Sequence, residues 1–293
     1  MLIKTFLDYL CYEQKCSERT IAIYGADIEQ FRSFIAERNV FDVEEVKPEI
    51  IREWIISLME KEYAATSVNG KLSSLRSFYK YLLRQSKITV NPLSEITGPK
   101  NKKPLPVFLK ESEMDKLLDE INFGEGYIAC RDRLIIEVFY MTGIRLLELI
   151  NLNDNDIDLS TSLVKVTGKR NKQRLIPFGD ELKKEFLRYI SIRNEAVSDN
   201  KQGAFFVRKN GKRLSRSIVG NLVRKNLFKV VTLEKRSPHV LRHTFATTML
   251  NNEAELGAIK ELLGHKSLAT TEIYTHTTFE ELKKVYKQAH PRA

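Results

Sequence analysis

The 293-residue chain is poor in cysteine and has no long apolar run. Its three cysteines, Cys11, Cys16 and Cys130, are odd in number, and no pair has zinc-ligand spacing. That argues against a disulfide framework or a zinc site and leads us to expect reduced thiols in a cytoplasmic protein. No stretch reaches about 18 uninterrupted apolar residues, so no membrane span is expected. The opening MLIKTFLDYLCYEQK places Lys4, Asp8 and Glu13 inside its apolar pattern, which suits a helix rather than a signal peptide. Internal repeats and low-complexity tracts are missing as well. What is present, 42% hydrophobic residues, excludes disorder and collagen-like repeats as overall readings. The length suits one large domain or two modest ones, either able to bury a core without staples.

The chain carries 48 Lys and Arg against 38 Asp and Glu, a net charge of +10. Residues 1–100 hold 14 of each sign; residues 101–293 hold 34 basic and 24 acidic residues, so the whole excess lies there. The excess points only generally to a polyanion, because many basic proteins bind nothing acidic. Five basic residues (Lys165, Lys169, Arg170, Lys172 and Arg174) crowd one short segment, and all five histidines fall in the last 55 residues. The C-terminal part is where chemistry is to be sought.

Apolar spacing predicts four helices in residues 1–90: one on Leu2, Phe6 and Leu10; a second on Ile21, Tyr24, Ile28 and Phe31, with Ser17 and Thr20 as candidate caps; a third after Pro48; a fourth through Val68, Leu72, Leu75 and Leu82. The segment 91–106, with four prolines and three lysines, reads as an interdomain linker. Beyond it, from 107 to 293, helices are expected near 111–122, 127–142, 145–152, 180–195, 214–230, 239–251, 254–263 and 278–288. Two short strands, Leu163–Thr167 and Arg174–Phe178, flank a turn with Gly168 and Asn171 and read as a hairpin with a basic tip. The fold class is mainly α with a small β insert.

Five motifs stand in order in the second domain: TGIR ending at Arg145, Gly168-Lys169 in the hairpin, HVLRH from His239 to His243, LLGH ending at His265, and Tyr274 nine positions on. His239 and Arg242, three apart on a helix after Pro238, share a face. Taken singly, each has a plainer reading: a surface arginine, a core tyrosine, or a metal pair at His239 and His243. The last lacks the glutamate of an HExxH zinc site and any evident further ligand, so no metal is expected.

Together, these motifs make the chain resemble the tyrosine recombinase (phage integrase) family, with Xer-type site-specific recombinases as the nearest group. The Ser17-x-x-Thr20-x-x-x-Tyr24 pattern, the LSSLRSFYKYL helix followed by Asn91-Pro92, and the closing HPRA extend the resemblance over the whole chain. It implies an N-terminal helical core-binding (SAM-like) domain and a larger mixed α/β catalytic domain. It also implies a catalytic set of Arg145, Lys169, His239, Arg242, His265 and Tyr274. In that family a tyrosine, here Tyr274, attacks a DNA phosphodiester and forms a 3′-phosphotyrosine. Arg145 and Arg242 would clamp the non-bridging oxygens, as guanidinium geometry allows, and His265 would add a hydrogen bond. His239 would be the general base and Lys169 the general acid. The covalent link conserves the bond energy, so neither ATP, metal nor another cofactor is implied. Leu147 stands where relatives often have a small residue and is expected to pack within its helix. Glu148 would orient Arg145 or a histidine, or form a structural salt bridge.

The resemblance further implies a clamp of two domains around double-stranded DNA carrying a specific recombination site. The synapse would be a homo-tetramer, or a hetero-tetramer with a second recombinase, and the C-terminal helix would dock on a neighbouring subunit. Candidate phosphate contacts are Lys71, Arg76, Lys80, Lys102, Lys103, Arg170, Lys172, Arg213 and Arg216. Resolution of chromosome or plasmid dimers is the role the compact length favours. A mobile-element integrase, a type IB topoisomerase-like enzyme and a DNA-binding protein that no longer cleaves are the alternatives.

Overall fold

Two hydrophobic cores form, and they share no residue. The computed structural model describes residues 2–101, 107–168, 171–197, 200, 203–231, 236–264 and 279–293, and the chain divides into the units Met1–Pro104 and Leu105–Ala293.

The first unit contains α1 (Leu2–Tyr12), α2 (Glu18–Ala36), α3 (Pro48–Glu60) and α4 (Ala65–Arg84). The Ser17 hydroxyl caps α2 by accepting from the Thr20 N–H at 3.2 Å. Pro48 occupies the first turn of α3, where no donor is lost. Stripes at helical spacing, such as Ile28, Phe31 and Ile35 on α2 or Leu72, Leu75 and Phe78 on α4, meet in one core.

The linker expected over 91–106 begins later than its prolines suggest. Leu93 and Ile96 are buried in the first core. Asn91 closes a local turn by accepting from the Leu93 N–H at 2.9 Å. Arg76 donates to the Ile96 carbonyl, and Asn69 to the Pro99 carbonyl, each at 2.8 Å. Two buried side chains and these paired carbonyls hold the segment against the four helices, so the first unit does not end at residue 90.

The second unit starts with α5 (Glu111–Asp115), which passes directly into a π-helical turn over Lys116–Glu120; the single helix expected over 111–122 is therefore two kinds of turn. Next come α6 (Gly126–Thr142), α7 (Leu146–Asn151), β1 (Ile157–Asp158), β2 (Leu163–Thr167), β3 (Gln173–Pro177) and α8 (Asp180–Ala196). The unit ends with α9 (Arg216–Leu227), α10 (Pro238–Asn251), α11 (Leu256–Leu263) and α12 (Phe279–Ala289). Helix α6 is buried almost all round, as its apolar composition requires, and packs on α8 and α10. The strands form one antiparallel sheet in the order β1-β2-β3, with Val164 opposite Ile176 and Val166 opposite Arg174. β3 starts and ends one residue earlier than expected.

Helix α12 carries Leu282, Tyr286 and Ala289 into the core of its own unit, packing on α10, α11 and β3. Arg292 follows, bonded to Asp115, Asp119 and Glu181. In this single chain the tail packs on its own unit.

Candidate active site

The site is built where α6 stops. Gly143 ends that helix in the left-handed region (φ 58°), and a Cβ there would lie 2.5 Å from Phe245 Cδ1, so only glycine fits. The turn buries Ile144 and delivers Arg145 to the N-cap of α7 in an extended conformation. Arg145 keeps 39% of its side chain exposed.

One turn on, Glu148 is buried and binds two arginines. It accepts from the Arg145 N–H and the Arg145 Nη1, both at 2.8 Å. It also accepts from the Arg174 Nη1 at 3.0 Å and Nη2 at 2.9 Å. Burial alone would raise the Glu148 pKa; the bonds from Arg174 and Arg145 outweigh it and hold the carboxyl at about 2. Glu148 thus orients Arg145, and its partners among the described residues are arginines rather than a histidine.

Helix α10 brings the third guanidinium. Pro238 sits in its first turn, His239 is exposed there, and Arg242 turns inward and is buried. The two therefore differ in environment although they are three residues apart. Arg242 donates from Nη1 to the Gly143 carbonyl at 2.5 Å and from Nη2 to the Leu263 carbonyl at 2.6 Å. Burial, together with the charges of Arg145 and Arg174, lowers its pKa to about 10, which still leaves it cationic at neutral pH. Arg145 Nη2 donates to the Gly264 carbonyl at 3.1 Å. Residues distant in sequence thus converge on the C-terminal end of α11, immediately before His265. Each guanidinium has five N–H donors, and Arg145 and Arg242 each direct two at described partners. Three cations around one carboxylate leave a positive site suited to a phosphate.

Lys169, His265 and Tyr274 lie outside the described residues, as do Lys102, Lys103 and Arg170. His243, Lys80, Lys172 and Arg216 are exposed. Lys71 is paired with Asp27 at 2.9 Å. Arg76 is exposed but bonded as described above. Arg213 donates to the Ile150 and Leu152 carbonyls at 2.7 and 3.0 Å, bracing the end of α7. Leu147 does not pack within its helix; it is 43% exposed, because the buried face of α7 belongs to Glu148, Leu149 and Ile150. Arg174, counted only as one of five basic residues at a hairpin tip, is a central member of the site. Strand alternation carries the signal: Arg174 has the same parity as the buried Ile176, so it faces inward.

Residues 3–86 match the phage integrase N-terminal SAM-like domain, and residues 107–281 match the phage integrase family. The chain belongs to the phage integrase family. Relatives of this integrase-family chain include Tyrosine recombinase XerC of Listeria innocua serovar 6a, 38% identical over 294 residues, covering 100% of this chain and 98% of the relative. Tyrosine recombinase XerC of Staphylococcus saprophyticus is 38% identical over 290 residues, covering 99% and 97%. Among solved structures, XerA recombinase aligns with TM-score 0.51 and 30% identity over 100% of this chain and 99% of that one. The XerH site-specific recombinase bound to palindromic difH substrate aligns with TM-score 0.77 and 22% identity over 97% and 93%, a likeness of fold. The chain is thus a site-specific tyrosine recombinase, an integrase-family enzyme that breaks and rejoins DNA.

Proposed function

We propose that the chain cuts one strand of a specific DNA site by attack of Tyr274, forms a 3′-phosphotyrosine, and passes the strand to a partner duplex within a tetramer. Resolution of chromosome or plasmid dimers is the reading that its full-length XerC-like relatives support. The observation that carries the chemistry is the convergence of Arg145 and Arg242 on the residues just before His265. There the two guanidinium groups hold the non-bridging oxygens as charge gathers on the phosphoryl group. His239, exposed at the start of α10, takes the proton from Tyr274, whose ordinary pKa of about 10 leaves it protonated at neutral pH. His265 adds a donor, and Lys169 protonates the departing 5′ oxygen; these two roles and that of Tyr274 rest on the family motifs. The exposed Lys80, Lys172 and Arg216 serve backbone phosphates, with affinity that falls as salt rises.

The test is a nicked suicide duplex bearing the site, found first by genomic footprinting. A covalent protein–DNA band forms in EDTA and disappears in Tyr274→Phe. Absence of an adduct on a tightly bound site overturns the reading. Relaxation of a plasmid lacking the site would favour a topoisomerase-like enzyme.

A further inference from the structure

Three successive carbonyls at the end of α11 are each taken by a different arginine: Leu262 by Arg174 Nε at 2.7 Å, Leu263 by Arg242, and Gly264 by Arg145. These are carbonyls of the last turn and C-cap of α11, at the negative end of its dipole. Two of the three arginines are proposed phosphate ligands. The third, Arg174, lies on β3 with 14% of its side chain exposed, and its two terminal guanidinium nitrogens also meet the two carboxylate oxygens of Glu148. Its guanidinium lies flush against Gly264: a Cβ on that residue, whose φ is 62°, would come within 3.1–3.3 Å of Nη1, Cδ and Cζ.

We infer that Arg174 is a positioning residue of the recombination reaction, fastening the hairpin, the Glu148–Arg145 pair and the end of α11 into one unit so that both phosphate-binding arginines are held in register. The inference rests on the phosphate-clamp reading of Arg145 and Arg242. The geometry needs an arginine: two nitrogens meet the two carboxylate oxygens while Nε reaches a carbonyl on another element. A lysine ammonium supplies the charge without that fork. Releasing Arg174 removes half of what holds Glu148, and Glu148 holds Arg145 through both its backbone and its side chain. A displacement of about 1 Å in such a clamp costs about 100-fold in rate.

The experiment compares the full-length wild type with Arg174→Lys on the suicide duplex at saturating protein, reading the first-order rate of adduct formation, the Kd for the site and the melting temperature. Arg174→Lys is expected to slow adduct formation about 100-fold while changing Kd less than about threefold. A second duplex carries a methylphosphonate at the scissile position, which replaces one charged oxygen by a methyl group. There the defect shrinks below about tenfold, because a displaced guanidinium matters less where that charge is gone. A purely structural brace would slow both duplexes equally, and that outcome overturns the inference. If Arg174→Lys does not fold, Glu148→Asp slackens the same fork with Arg174 intact and must show the same substrate-dependent defect. A wild type that forms no adduct overturns the recombinase chemistry and this inference with it. A wild type that forms it, matched by both variants, overturns this inference alone.

Discussion

His290 shows how much a single residue can depend on contacts far along the chain. Its ring stacks on Tyr286 with centroids 5.4 Å apart and lies 5.7 Å from Phe245. Nδ1 accepts from the Arg292 N–H at 3.2 Å, which places the proton on Nε2, 3.3 Å from the Tyr140 carbonyl. Burial lowers the pKa to about 4, against the opposing pull of the Tyr140 carbonyl and with help from Arg292. An unfolded histidine titrates near 6.5. The stability contributed by the neutral ring is therefore complete above about pH 6.5 and is lost as pH falls towards about 4. The unfolding free energy of wild type minus that of His290→Phe should shrink by about 2 kcal/mol between pH 7 and pH 5, measured by urea titration. A constant difference rejects this assignment. The two chains must be compared at each pH because Glu137 works the other way: burial, only partly offset by Arg133, pushes its carboxyl up to about 8, so it gains stability as pH falls over the same range. His290 had no assignment from sequence because nothing local marks it. The convergence of Arg145 and Arg242 was legible because a glycine turn, a helix-starting proline and fixed spacing set their segments apart. Arg174 was obscured by four basic neighbours.

At the scale of elements, the ends of helices carry the site. The Gly143 carbonyl at the end of α6 accepts from Arg242, and the last carbonyls of α11 accept from all three arginines. Substituting Gly143→Ala tests how tightly the first of these ends is specified. The positive φ alone costs about 1 kcal/mol. The added Cβ would also lie 2.5 Å from Phe245 Cδ1 and 2.8 Å from Leu263 Cδ2, driving α10 and α11 apart. Together these should destabilise the second unit by about 2–4 kcal/mol and lower its melting temperature by about 5 °C or more. A melting temperature within about 1 °C of wild type counts against the packing described. Helix existence was readable from apolar spacing almost throughout, since each amphipathic stripe is a local pattern. The π-helical turn after α5 was not, because apolar spacing does not distinguish it from α-helix. Nor was the docking of Leu93 and Ile96, where two buried contacts hold a stretch that contains Pro92 and Pro99.

For the whole molecule, the two cores raise the question of whether the units unfold together. The chain has a single tryptophan, Trp54; it is 1% exposed and meets Phe31 edge-on with centroids 4.9 Å apart. Its fluorescence therefore reports the first unit alone, whereas far-ultraviolet ellipticity reports helices of both. Since neither core borrows a residue from the other, the two probes are expected to give non-coincident thermal transitions, a departure from two-state behaviour. Gly143→Ala makes the test sharper. It should move the part of the ellipticity change that belongs to the second unit and leave the Trp54 midpoint within about 1 °C of wild type, because Gly143 and Trp54 belong to units with separate cores. Equal movement of both signals would mean that the units unfold cooperatively. Independence has a functional consequence. The first 100 residues carry no net charge and the rest carry the full +10, so the charge attraction to DNA in the proposed function resides in the second unit, where the arginine cluster around Glu148 can stay assembled after the first unit unfolds. Under mild heating, salt-sensitive DNA binding should then outlast the Trp54 signal and fail as the second unit melts; loss of binding together with the Trp54 signal would reject this assignment.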